Sequence, residues 1–285
     1  MAVTVVEENL EQAPFLRINE VLATEMLTTA LREEVEKSGF SKVILGLSGG
    51  IDSALSLYLA VKAFGSENVI AVCMPYQTSS PDSLAHAQLA IEDTQVESFT
   101  VDITPQIDGY FESFPDASPL RQGNKMARER MTILYDLSAL HEALVIGTSN
   151  RTELLLGYGT QFGDSASAVN PLGDLYKTQV RQLASYLGVP EEIIAKPPSA
   201  DLWEDQTDEQ ELGFSYLEVD QLLYYMVDHN YSLSKLHELG FEQSFIDQVS
   251  KRIIRNQYKR TMPVILKVSN RTVGIDFRYL RDWGL

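Results

Sequence analysis

Cysteine is almost absent: Cys73 is the only one in 285 residues. An internal disulfide framework and a cysteine-rich zinc site are thereby excluded, and the usage fits a reducing compartment. Basic residues are also scarce, 23 Lys and Arg against 40 Asp and Glu, for a formal charge of −17. That field repels phosphate backbones over most of the surface, so no nucleic-acid partner is expected. A small anion can still bind where cations and backbone N–H groups gather. No run approaches the roughly 18 consecutive apolar residues of a spanning helix, and the opening MAVTVVEENLEQ is acidic where a signal peptide is basic. The expectation is a cytoplasmic protein with no membrane association. The four histidines, His86, His141, His229 and His237, lack ligand-like spacing and are assigned to packing or solvent.

What is present is enough apolar residue, 44% of the chain, to bury a large core. Short apolar runs at 43–47, 69–74, 96–101 and 144–147 read as buried strands. Helical patterns fall near 17–38, 51–64, 80–93, 121–141 and 175–187, with several more between 215 and 260. This alternation predicts an α/β fold, a doubly wound parallel sheet with helices on both faces and ligands at the carboxyl ends of its strands. Two segments, 102–120 and 196–213, carry little helix or strand pattern and read as lid-like loops or as plain surface loops.

The sharpest local feature is LGLSGGIDSALSLYLA at 45–60. A buried strand runs through Gly46 and Leu47 into Ser48, Gly49, Gly50, Ile51, Asp52 and Ser53, and then into an apolar helix. The serines offer hydroxyls, the glycines permit close backbone approach, and the helix start presents unpaired N–H groups. Two glycines alone would make an ordinary strand-to-helix turn. With both serines and the acid, the stretch reads as a phosphate cradle in which Asp52 is placed to ligate Mg²⁺. No lysine follows the glycines, so this is not the kinase-type phosphate loop. A second cluster, GTSNRTELLLGYGTQFGD at 147–164, also starts at a strand's carboxyl end. Thr148 and Ser149 could reach nucleotide there, and Glu153 is the natural second Mg²⁺ ligand; alternatively, Glu153 is a solvated acid in a first helical turn.

The serine-glycine-glycine-x-aspartate-serine loop resembles that of the N-type ATP pyrophosphatases. With GNKMARERM (123–131), GTSNRTELLLGY (147–158), NPLGDLYKTQV (170–180) and KPPSADLW (196–203), the chain is similar to the ammonia-dependent NAD synthetases over about residues 15–265. The resemblance implies a Rossmann-like fold of the adenine nucleotide alpha hydrolase type, a single domain over 1–285 and a homodimer. It implies adenylation of the nicotinate carboxylate of deamido-NAD by ATP, then displacement of AMP by ammonia, with amidation of nicotinate mononucleotide or another ATP pyrophosphatase activity as the alternative. It implies that the loop from Gly46 to Ser53, with Thr148, Lys177 and Ser199, contacts ATP. Asp52 and Glu153 match the family's Mg²⁺ ligands, and Arg128, Gln161, Ala168, Tyr258 and Lys259 match its substrate contacts. Gln161 and Ala168 stand where a lysine and an aspartate are usual, so a charge and an acceptor are missing.

Lys177, the loop N–H groups and Mg²⁺ held by Asp52 and Glu153 are the expected devices for stabilising pyrophosphate as it departs. Asp164 is a candidate proton acceptor for ammonium, or else a turn-capping acid. Cys73 sits inside an apolar strand and reads as a buried hydrophobe, so the nitrogen source is free ammonia or a separate glutaminase.

Overall fold

The structure is a computed structural model that describes residue 6 and residues 11–199, 207–261 and 263–277. Most of the acidic opening segment, the Ala200–Trp203 part of KPPSADLW and the centre of the 196–213 segment lie outside the described residues.

Four parallel strands form one sheet: β1 (Lys42–Gly46), β2 (Val69–Cys73), β3 (Glu97–Thr100) and β4 (Ala143–Val145), in the order β3-β2-β1-β4. β1 and β2 are continuous apolar runs because helices cover both their faces. On one face, α1 (Glu20–Lys37), α2 (Ile51–Phe64), α3 (Pro81–Thr94) and α7 (Lys177–Leu187) bury Val43, Leu45, Val69 and Ala71. On the other, α4 (Thr104–Phe111) and α5 (Pro119–His141) cover Ile44, Ile70, Val72 and Val145. A third apolar cluster joins Leu156 of α6 (Arg151–Leu156) and Tyr176 to α9 (Asp208–Leu212), α10 (Tyr216–Leu223), α11 (Leu233–Glu238) and α12 (Gln243–Arg255). Between α7 and α9 lies the short α8 (Glu191–Ile194).

Two expectations need correcting. The run at 96–101 is not a buried strand: β3 is the sheet edge, and Glu97, Ser98 and Thr100 are exposed. Nor is 102–120 an irregular loop. Residues 104–111 are helical, with Pro105 in the first turn, where its missing N–H costs nothing, and Ile107 buried beneath them.

The chain leaves β1 toward β2 and β3, then returns to place β4 on β1's opposite side. The reversal falls between β1 and β4, and in a doubly wound sheet the crevice at such a point is where ligands bind. Here Ile146 N–H donates to the Ile44 carbonyl at 2.9 Å. The loop after β1 and the segment opening at Gly147 are therefore forced side by side.

Candidate active site

Gly50 caps α2 from an extended conformation, and the preceding Gly49 has φ +76°. A side chain at Gly49 would be strained there, and its Cβ would lie 1.9 Å from the Ser83 carbonyl oxygen at the start of α3. The loop is closed internally: Ser53 Oγ donates to the Gly50 carbonyl at 3.0 Å and accepts from Ser48 N–H at 3.2 Å. Gly50 N–H donates to Ser48 Oγ at 3.3 Å. Behind the loop, Ser56 Oγ donates to the Gly147 carbonyl at 3.2 Å, tying α2 to the end of β4.

Asn150 caps α6 reciprocally: Glu153 N–H donates to Asn150 Oδ1 at 3.0 Å, and Glu153 Oε2 accepts from Asn150 N–H at 3.3 Å. The Asn150 amide also donates to Asp52 Oδ1 at 2.8 Å. Both carboxylates turn to Lys177, the first residue of α7, whose ammonium pairs with Asp52 Oδ2 and lies 3.3 Å from Glu153 Oε1. Lys177 is only 2% exposed. Its nitrogen stands 5.0 Å from the Tyr216 ring centroid, and the Tyr216 hydroxyl donates to the buried Asp208.

Burial strips water from these charges. It works against the Lys177 ammonium, yet the Asp52 and Glu153 carboxylates prevail and raise the pKa above the ordinary lysine range. Glu153 is pushed up to about 8, first by burial and then by Asp52, against the lowering influence of Lys177. Two carboxylates sharing one small space beside an anion cradle form a donor set suited to a hard cation that completes its shell with phosphate oxygens and water. Among the described residues no group of three or more His, Cys, Asp or Glu is arranged to hold a metal, so the Mg²⁺ fit rests on these two acids.

A cavity of about 960 Å³ opens over this cluster. Its wall includes Gly46, Leu47, Ser48, Gly50, Ile51, Asp52, Ser53, Thr148, Glu153, Lys177 and Ser199. The same wall includes Arg128, Gln161, Asp164, Tyr258 and Lys259. There Arg128 Nε donates to the Gln161 carbonyl at 3.1 Å, and the Lys259 ammonium donates to the Gly157 and Gly159 carbonyls, each at 2.8 Å. Asp164, open to the cavity, accepts from Thr160 N–H at 2.8 Å; desolvation of its carboxyl by the surrounding protein raises its pKa, while that N–H and Lys259 pull it down.

A profile of the NAD synthase family matches residues 23–263. The chain belongs to the NAD synthase family. It is 58% identical to an NH(3)-dependent NAD(+) synthetase of Trichlorobacter lovleyi over 94% of this chain and 98% of that protein. A namesake from Chlorobium phaeobacteroides is 56% identical over 94% of this chain and 97% of its own length. Among solved structures, an NH3-dependent NAD synthetase from Campylobacter jejuni is 37% identical with TM-score 0.75, covering 88% of this chain and all of its own. An NMN synthetase from Francisella tularensis is 31% identical with TM-score 0.79, covering 88% of this chain and 99% of its own.

Within this NAD synthase fold, two expected contacts stand apart from the cavity wall. Gly49 lies behind the loop, packed on Ser83, and Ala168 is exposed, its N–H donating to the Val145 carbonyl at 3.0 Å. Conversely, Asn150, Asp208 and Tyr216 escaped the sequence reading. Only Asn150 carried a usable signal, as the first residue of an Asn-x-x-Glu capping pattern. The basic side of α12, Lys251, Arg252 and Arg255, also lines the cavity and was unforeseen.

Proposed function

We propose that this chain is an amide-forming ligase that converts the nicotinate carboxylate of deamido-NAD into the amide of NAD, consuming ATP and ammonia and releasing AMP and pyrophosphate. The observation that carries this reading is the convergence of the Ser48–Ser53 loop, Glu153 and Lys177 on one cavity of about 960 Å³.

A carboxylate oxygen of the substrate attacks the α-phosphorus of ATP, the bond to the β-phosphate oxygen breaks, and charge accumulates on pyrophosphate. The loop N–H groups and the Lys177 ammonium are positioned to take up that charge, since such transfers depend mostly on orientation and electrostatics. Asp52 and Glu153 are the residues that would hold Mg²⁺, which supplies neutralisation of the triphosphate and of the leaving group. Arg128, Gln161, Tyr258 and Lys259 hold the nicotinate nucleotide, with Thr148 and Ser199 on ATP. Ammonia then attacks the acyl carbon, the carbon–oxygen bond to AMP breaks, and Asp164 accepts the proton that ammonium must lose. We place the enzyme in the cytoplasm as a homodimer, fed by free ammonia or by a separate glutaminase.

The assay combines purified protein, ATP, Mg²⁺, ammonium and either deamido-NAD or nicotinate mononucleotide, following AMP, pyrophosphate and amide together. A higher kcat/KM for the dinucleotide is expected, and a strong preference for the mononucleotide overturns the substrate assignment.

A further inference from the structure

Asp220, on α10, is fully buried and lies outside the cavity wall. It accepts the Thr152 hydroxyl at 2.5 Å and Thr178 N–H at 2.8 Å. Thr152 precedes Glu153 on α6, and Thr178 follows Lys177 on α7. The Thr152 hydroxyl oxygen in turn accepts Lys177 N–H at 3.1 Å. One carboxylate therefore ties together the first turns of the two helices that carry Glu153 and Lys177. The N–H of a second helical residue is ordinarily met by the capping side chain just before the helix. In α7 the cap is Tyr176, whose N–H donates to Gln179 Oε1 at 2.9 Å and whose hydroxyl donates to Asp228 at 3.1 Å. The Thr178 N–H is met instead by Asp220, from a different helix. A carboxylate at a helix start is favourable, and this one serves two starts at once.

We propose that Asp220 is a positioning residue for the adenylation step. Acting through Thr152, it fixes the separation of the Lys177 ammonium from Glu153 and Asp52 before the nucleotide arrives. The inference rests on the roles assigned above to Lys177 and Glu153. A buried acid kept only for stability would hold α10 against α6 and α7 without affecting chemistry; a positioning acid governs turnover more than nucleotide affinity.

The test uses Asp220→Ala, Asp220→Asn, Thr152→Val and Thr152→Ser in the full-length chain, with kcat, KM for ATP, melting temperature and backbone amide exchange measured for each. Asp220→Ala and Thr152→Val are expected to lower kcat by about 100-fold, as small misplacements of reacting groups do, with a much smaller change in KM. The double variant should lose little more than either single one. Asp220→Asn, which keeps an oxygen for Thr178 N–H, and Thr152→Ser, which keeps the hydroxyl, should restore most of the turnover. Exchange at the Lys177 and Thr178 amides should accelerate in Asp220→Ala ahead of the rest of α7. Wild-type kcat well below the melting temperature in Asp220→Ala or Thr152→Val overturns the proposal, as does unchanged exchange at those two amides. If Asp220→Ala does not fold, the Thr152→Val and Thr152→Ser pair decides the same question. Wild-type protein that folds with these amides protected, yet releases no pyrophosphate with any nicotinate nucleotide, sinks the functional reading instead, and the exchange results still judge the positioning link.

Discussion

Lys177 is the side chain on which the proposed chemistry depends most. Its ammonium is enclosed, doubly paired and raised in proton affinity, so it stays charged at any physiological pH. Lys177→Ala leaves two carboxylates facing each other without a cation, and pyrophosphate release should fall by about 100-fold or more. Retention of wild-type release removes Lys177 from the mechanism. Cys73 provides the complementary expectation. Burial pushes its thiol up to about 11, so iodoacetamide should leave the native protein unmodified, and Cys73→Ala should keep ammonium-dependent activity. Rapid native alkylation coupled to inactivation would contradict this. At this scale, Asp52 was legible because the acid follows a serine-glycine-glycine turn at a strand's end, and Lys177 through its motif alone. Asp208, Tyr216 and Asp220 were not, because polar residues far apart in the chain become a network only after α9 and α10 have packed.

Among elements, the strands and long helices of the first half were readable because covered strands show as apolar runs and half-buried helices as stripes. The exposed edge strand and the helix at 104–111 were misread for one reason: a short local pattern does not say which side tertiary packing will cover, and here Thr100, Pro105 and Gly109 stay exposed while Ile107 alone of the helix is buried. Asp220 gives the helical layer a measurable pH response. Burial raises its carboxyl from 3.8 to about 6, so between those values the folded chain holds more protons than the unfolded one. Stability contributed through this group therefore falls as pH rises through that window. Asp220→Asn cannot titrate, so its stability relative to wild type should climb from pH 4 to pH 6 in denaturant melts, values that span roughly the same window. A flat difference would show that the Asp220 carboxyl titrates alike in both states.

In the whole molecule, an acidic chain gathers Arg128, Lys251, Arg252, Arg255 and Lys259 around one cavity, so the local field there opposes the global one. Sedimentation of the proposed homodimer should give twice the 31.9 kDa chain mass, and a monomer at micromolar concentration would refute it. The sheet order carries a separate consequence for folding. β1 and β4 lie side by side although about a hundred residues of chain separate them, an expensive loop to close. A nucleotide touching both the Ser48–Ser53 turn and the Gly147 segment therefore acts as a clasp across the longest detour in the sheet. Fragments ending before Ala143 lack half of that clasp, and ATP should protect the intact chain against thermal unfolding while leaving such fragments indifferent to it.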